Sequence, residues 1–357
     1  MKLFSSFLNP PAFLSMTPVG VSVFDTVINF VTFKEDKDKL SLAIYGKKEL
    51  PTGIVVNGEI KKANELIAVL KEIQKETKAE FANVSLPEEE TYVFQMQIPG
   101  TVKNDREIRQ SIEFRLEENV PLSIEDLVFD YEVIKSSMDG SILEVSVSAV
   151  ASEVIEDYAE VFKAADMMPV SFGVESKLVA KAVIPKNDKD PYIIINIKER
   201  ATTISIVNNG VVQFTSTAAI GGKSIDEDIS KNMKVTLEEA RKIKHEHLYQ
   251  EGVDSMKVFP AFINFVSAIK DETERFYSFW TKNKNVPLAD SNVKKIILCG
   301  NNSSVAGFER YFYLSLKKEV KLANVWVNAF SLDDYTPSIN FNESLDYAAA
   351  VGAILIK

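Results

Sequence analysis

The chain has 357 residues, 46% of them hydrophobic and 26% charged, the composition of a folded protein long enough for two or more domains. Its formal net charge of −10 leaves no basic excess to neutralise phosphates and argues against a nucleic-acid role. A single cysteine, Cys299, excludes an internal disulfide and fits a reducing compartment, and no apolar run approaches the ~18 residues of a membrane-spanning helix.

Residues 1–16 carry one lysine and an Asn9-Pro10-Pro11 break. They read as a disordered or loosely docked leader rather than a signal peptide. Val19–Val23 reads as a strand, Phe24-Asp25-Thr26 as a tight turn and 27–33 as a second strand. A charged turn at 34–39 leads to a third strand at 40–45. Asn57-Gly58 turns the chain between short strands at 54–56 and Ile60. Residues 62–77 form an amphipathic helix with Leu66, Leu70 and Ile73 on one face, and 81–86 form a strand.

Residues 86–168 differ in texture. A strand ends at Pro99-Gly100, and a helix from about Asp105 stacks Ile108, Ile112 and Leu116 before Pro121 stops it. Alternating strands at 126–134 and 142–149 meet at Asp139-Gly140, and Ser152 caps a helix to about Met168. This order describes a compact α+β insert. Residues 171–184 read as mainly helical, and the polar, proline-bounded stretch 185–191 is the best domain boundary.

Three strands follow at 192–197, 202–207 and 211–217, the last two joined by Asn209-Gly210. The meander ends in Gly221-Gly222, before a helix that Ser224 can cap. Such an end is either an ordinary glycine link or a phosphate cradle whose bare N–H groups point at an anion. The strand–turn–strand at 19–33 is the same unit placed early in the other half, which points to a duplication around a cleft. Thr236-Leu237-Glu238-Glu239 opens a capped helix running to Gly252. The helix at 259–284 carries Phe262, Phe265, Phe276, Tyr277, Phe279 and Trp280, read as a buried face. A strand at 293–298, a polar loop at 299–304, a helix at 305–316, a short strand at 325–327 and a small apolar helix at 344–357 complete the chain.

Few residues offer chemistry. His245 and His247 stand two apart on a helix, so they diverge and read as a solvated face rather than a metal pair. Cys299 reads as a small core residue. Neither GxxxxGK[ST] nor GxGxxG occurs. The acidic runs Glu88-Glu89-Glu90 and Asp226-Glu227-Asp228 read as solvated faces.

Taken together these units resemble the actin-like ATPase superfamily, and within it the PilM family and its relative FtsA. In that superfamily the turn of each half approaches the phosphates, and PilM sequences show Asp-Ile-Gly there. Here Ser22 and Phe24 stand at the aspartate and glycine positions of the first half, and Asn196 and Lys198 at those of the second. Neither serine nor asparagine brings the charge that holds hydrated Mg²⁺, and side chains stand where a glycine backbone would approach phosphate. Gly221-Gly222 matches the family's Gly-Gly. Gly300 keeps the first glycine of the adenosine motif and Asn301 replaces the second. The family's Ala-Glu-x-x-Lys appears as Ala240-Arg241-Lys242-Ile243-Lys244. Glu118-Asn119-Val120-Pro121, Phe129-Asp130-Tyr131 and Tyr347-Ala348-Ala349-Ala350-Val351-Gly352-Ala353 resemble the family's insert, an SHS2 domain, and its C-terminus.

The resemblance implies an α/β, actin-like (ribonuclease H-like) duplicated fold with a cleft and a small α+β insert. Its parts would be 1–85 as the first half of domain I, 86–168 as the insert, 169–190 as the return and linker, 191–335 as domain II, and 336–357 as a helix returning to domain I. It implies a cytoplasmic scaffold of type IV pilus assembly, held at the inner face of the cytoplasmic membrane only through partners. The partners would be an inner-membrane protein of the PilN type, whose tail docks between the first subdomain and the insert, and the assembly motor. No nucleic acid and no direct membrane insertion are expected. The cofactor expectation is none or weak ATP at a non-catalytic cleft around Ser22, Asn196, Lys198, Gly221, Gly222, Lys244, Gly300 and Asn301. The alternative is an active ATP-binding switch or ATPase of the same fold.

Overall fold

The computed structural model describes residues 18–36, 39–102, 104–136, 139–248, 259–282, 293–305 and 307–355. The leader at 1–16, the approach to Gly252 and the side chains of His245 and His247 lie outside what is described. β1 (Val19–Val23) is buried along its whole length. β2 (Val27–Asp36) returns antiparallel beside it, and β3 (Lys39–Glu49) pairs antiparallel with β2. Both run further than their apolar cores suggest, because their charged ends stay in the ladder at the sheet rim, 34–36 pairing with 39–41 and 47–49 with 27–29. β4 (Val55–Val56) and β5 (Glu59–Ile60) form a small hairpin, with Asn57 and Gly58 both at positive φ, as a type I′ turn requires. α1 (Ala63–Thr77) buries Leu66, Leu70 and Ile73, and β6 (Phe81–Leu86) lies parallel to β1.

The insert is built from β7 (Thr91–Pro99), α2 (Asp105–Leu116), β8 (Leu127–Ser136) and β9 (Ile142–Ala151), with strand order β7-β9-β8. α2 is capped by Asn104, whose Oδ1 accepts the Glu107 N–H at 2.9 Å. Its Ile108, Ile112 and Leu116 share a core with Met96, Ile98, Val145 and Val147. α3 (Ser152–Ala164) begins without a side-chain cap, Ala151 holding the cap position. Its Tyr158, Val161 and Phe162 enter the core of the first half, beside Leu66 and Leu70 of α1.

Residues 168–174 form a strand, not the start of a helix. β10 (Met168–Val174) pairs parallel with β6 at the sheet edge, and only α4 (Glu175–Val183) is helical. Pro169 is tolerated there because an edge strand leaves one side unpaired. The first sheet thus has the order β10-β6-β1-β2-β3.

The second half repeats the plan. β11 (Tyr192–Ile197), β12 (Thr202–Asn208) and β13 (Val211–Ala218) form the meander, followed by α5 (Gly222–Met233), α6 (Leu237–Leu248) and α7 (Phe259–Lys282). β14 (Lys295–Cys299), α8 (Phe308–Leu316) and β15 (Glu319–Leu322) complete it, in the order β13-β12-β11-β14-β15. β1 is antiparallel to β2 and parallel to β6; β11 is antiparallel to β12 and parallel to β14. The last strand is β15, while 325–327 lie in a turn, where Trp326 is drawn into the core. α6 starts with the expected reciprocal pair: Glu239 N–H donates to Thr236 Oγ1 at 3.2 Å, and Thr236 N–H to Glu239 Oε2 at 2.8 Å. On α7, Phe262, Phe265 and Trp280 are buried, Phe276 and Tyr277 partly so, and Phe279 is exposed.

α9 (Phe341–Ser344) and α10 (Ala348–Ile354) bring the chain back. α10 lies on β1 and α4 at backbone distance: a Cβ added at Gly20 would stand 2.1 Å from the Ala350 carbonyl oxygen. One apolar core unites both halves here, with Phe33 and Leu42 from the first sheet, Ile194 and Ile297 from the second, Val179 of α4 and Ala349 of α10.

Candidate functional site

The duplicated plan sets two tight turns face to face. The first closes with Phe24 N–H donating to Val27 O at 2.9 Å, the second with Lys198 N–H donating to Ala201 O at 2.9 Å. Between them lies a cavity of about 490 Å³, lined among others by Asp25, Lys47, Arg200, Arg241, Asn301 and Asp346. Ser22 and Asn196 hold matching places, Ser22 opposite Asn29 and Ser85, Asn196 opposite Thr203 and Cys299.

Of the eight residues singled out in the sequence, Asn196, Lys198, Gly300 and Asn301 line this cavity, while Ser22, Gly221, Gly222 and Lys244 do not. Ser22 is fully buried within β1, its Oγ without a hydrogen-bond partner. Asn196 Nδ2 donates to Glu175 Oε1 at 2.8 Å. Lys198 Nζ sits 2.9 Å from Glu175 Oε2 and 2.9 Å from Glu89 Oε1, and lies 5.6 Å from the centre of the Phe24 ring. Gly300, at φ +81, donates to Leu345 O at 3.3 Å, and a Cβ there would meet Ile197 O at 2.3 Å. Asn301 N–H donates to Asp346 Oδ1 at 2.8 Å. Lys244 is buried on α6, 2.9 Å from Asp226 Oδ1 and 3.1 Å from Gly222 O, and so pins α6 to α5.

The amides at the start of α5 are all engaged. Gly221 N–H donates to Ser224 Oγ at 3.4 Å, Gly222 N–H to Lys198 O at 2.9 Å, Lys223 N–H to Glu199 O at 2.8 Å and Ser224 N–H to Gly221 O at 2.9 Å. Gly221 itself is the N-cap, and Ser224 acts three residues in. Added Cβ atoms at Gly221 and Gly222 would stand 2.6 Å from Glu199 O and 2.1 Å from Asn302 Oδ1. These glycines let the β11–β12 turn and the loop after β14 press onto the helix end.

Several charges here were not legible as site residues. Both acidic runs place a carboxylate inside the protein instead of on a solvated face. Glu88 is buried, and its Oε2 accepts the Ser176 N–H at 2.9 Å, capping α4 from the insert side. Asp226 is buried between Lys244 and Arg241. Asp25 accepts the amides of Asn57 and Gly58 at 3.0 and 3.2 Å and meets Arg200 Nη1 at 3.4 Å. Cys299 is buried, its Sγ donating to Leu345 O at 3.4 Å, and burial pushes its thiol up to about 12, a poor nucleophile. Among the described residues no group of three His, Cys, Asp or Glu is placed to hold a metal ion.

Burial, opposed by the Lys198 charge, pushes Glu175 up to about 7, and burial pushes Asp346 up to about 6. A carboxyl raised on folding binds its proton more tightly in the folded state. The stability it contributes is therefore present at low pH and lost as pH rises from the unfolded value toward the folded one. For Glu175 that window runs from 4.5 to about 7. Melting temperature should be higher at pH 6 than at pH 8, by an effect on the order of 1 kcal/mol. Glu175→Gln should flatten that difference, and an unchanged profile in the variant would rule Glu175 out as its source.

Two five-stranded sheets on one plan, helices packed between them and a cleft where their turns meet define an actin-like protein. A family model described as "Type IV pilus assembly protein PilM" matches residues 20–356, and the chain belongs to that family. Its fold is similar to that of a solved PilM-PilN type IV pilus biogenesis complex, with a TM-score of 0.78 at 16% identity, covering 95% of this chain and 98% of that one. It is also similar to MreB5 of Spiroplasma citri bound to ADP (TM-score 0.58, 13% identity, 96% and 97% covered). A third likeness is to the ethanolamine utilization protein EutJ from Carboxydothermus hydrogenoformans (TM-score 0.56, 17% identity, 98% and 91% covered). Among the described residues no helix is long and apolar enough to cross a membrane.

Proposed function

We propose that this chain is a cytoplasmic scaffold of type IV pilus assembly, that it captures the short tail of an inner-membrane partner of the PilN type, and that it links that partner to the assembly motor without using nucleotide. The family match along almost the whole chain supports the pathway. The observation that carries the nucleotide part of the reading is the saturated α5 terminus. A phosphate there would have to displace the Lys198 and Glu199 carbonyls from Gly222 and Lys223. The cations nearby are already held, Lys244 by Asp226 and Lys198 by Glu89 and Glu175. Ser22 and Asn196 add no charge for a hydrated metal. These residues do not fit a Mg-nucleotide.

Two open strand edges support the peptide part. Among the described residues β10 pairs only with β6 and exposes Met168 and Val170, and β8 pairs only with β9 and exposes Val128 and Val133. An edge strand offers unpaired backbone groups and alternate side-chain pockets to an extended peptide. Calorimetry with a synthetic peptide of the partner's cytoplasmic tail tests this. Binding is expected without ATP and unchanged by Mg-ATP. Met168→Glu or Val133→Glu should weaken it roughly tenfold while leaving the melting temperature in place. Micromolar Mg-dependent binding of ATP by the unmodified protein would overturn the nucleotide part and favour the ATP-gated switch. Restoring the family residues through Asn196→Asp and Lys198→Gly should destabilise the fold, because it leaves Glu175 without its cation and adds a second carboxylate beside it.

A further inference from the structure

Lys198 projects from the β11–β12 turn of the second half into a pocket made wholly by other parts of the chain. Glu175 opens α4, which follows the first sheet; Glu89 stands in the short turn that leads into the insert; the Phe24 ring belongs to the turn of the first half. The ammonium reaches both carboxylates at 2.9 Å. Lys198 is only 12% exposed and Glu175 1%, so solvent screens this contact little. Asn196 binds the other oxygen of Glu175 at 2.8 Å, fixing that carboxylate against the second half at two points. Glu88, next to Glu89, holds the Ser176 amide at 2.9 Å and so ties the insert entry to the same turn of α4. A second cross-cleft pair, Arg200 with Asp25 at 3.4 Å, lies nearer the rim, where Arg200 is 36% exposed, and ranks below the buried one.

We propose that Lys198 is an internal clamp that fastens the second half to both α4 and the insert entry and holds the two sides of the cleft at a fixed separation with no ligand bound. The cation stands where the two halves and the insert meet, and no other group among the described residues joins Glu89 to Glu175. Losing it removes the charge that ties both Glu89 and Glu175 to the second half. Burial then drives Glu175 to take up a proton, so the contact is lost and not replaced. The clamp goes beyond the peptide-capture reading and stands whatever the strand edges bind.

Electron–electron distance measurements test it. Spin labels would be placed at Lys71→Cys on α1 and Lys231→Cys on α5, both exposed, in the otherwise intact chain with its buried Cys299. The parent should give one narrow distribution without nucleotide, unaltered by Mg-ATP. Lys198→Met should broaden it and move its mean outward by several ångströms. Because that change strands a buried carboxylate, the double variant Lys198→Met, Glu175→Gln is the deciding one: it removes the cation and its closest partner together and should fold. A broadened distribution in the double variant, with its circular dichroism retained, supports the clamp. A distribution as narrow as the parent's, in either variant, overturns it. Broadening of the parent by Mg-ATP would instead count against the nucleotide-free reading of the cleft and leave the variant comparison standing.

Discussion

Gly352→Val is expected to lose on the order of 4 kcal/mol or more and to yield little folded protein. Gly352 lies in α10 against α4, and a Cβ at this position would stand 1.9 Å from the Leu178 carbonyl oxygen and 2.5 Å from its carbon. Both are backbone atoms, so no rotamer change can make room. The helices would have to part, and α10 is held on its other side by β1, where Gly20 allows the same close approach to Ala350. Separating them would open the core that both halves share. Gly352→Ala separates two effects. Helix propensity alone favours alanine over glycine by about 1 kcal/mol, whereas the steric reading predicts a net loss. Urea denaturation of the alanine variant decides between them, and a stabilised variant would show that α10 is free to move.

The elements that could be read from the sequence are those whose pattern is local. The helix from Asp105 carries its own cap and three stacked apolar residues. The meander from Tyr192 carries β-branched runs and an Asn-Gly turn, and its echo at Val19 gave the duplication away. β10 was hidden because Met168, Pro169 and Gly173 look like a break when nothing shows that the strand is an edge. Val325-Trp326-Val327 looks like a strand because it is apolar, but Trp326 is apolar in order to anchor a turn.

Of the residues singled out in the sequence, Asn196, Lys198, Gly300 and Asn301 line the cavity. Gly221 and Gly222 stand outside that lining, and at all three glycines carbonyls or the Asn302 side chain fill the spaces a Cβ would take. Glu88 and Asp226 were hidden inside acidic runs, since a run of carboxylates gives no local sign of which one turns inward. The partners of Lys198 are tertiary, Glu175 lying 23 residues away and Glu89 109. The spacing of residues along a chain cannot announce such a pairing. It follows from the β11–β12 turn meeting the start of α4, which is a property of the duplicated fold.

Trp326→Ala should cost about 3–5 kcal/mol, the range for deleting a fully buried large aromatic side chain. Trp326 is 1% exposed. It stacks on Phe330 with ring centroids 5.3 Å apart and meets Phe33 edge-on at 6.4 Å. Phe33 belongs to β2 of the first half, and it also meets Phe330 at 6.2 Å. Tyr335 closes the group, its ring 4.9 Å from Phe330 and its hydroxyl donating to Leu42 O at 3.3 Å. The cluster is therefore the apolar counterpart of the charged contacts at the cleft, and its loss removes packing that neither sheet can replace alone. Phe279 provides the comparison. It is 63% exposed and touches only Phe214 among aromatic rings within the described residues, so Phe279→Ala should cost about 1 kcal/mol or less. Equilibrium urea unfolding of both variants measures the difference. Equal losses would mean that the aromatic cluster is not what joins the first sheet to the second.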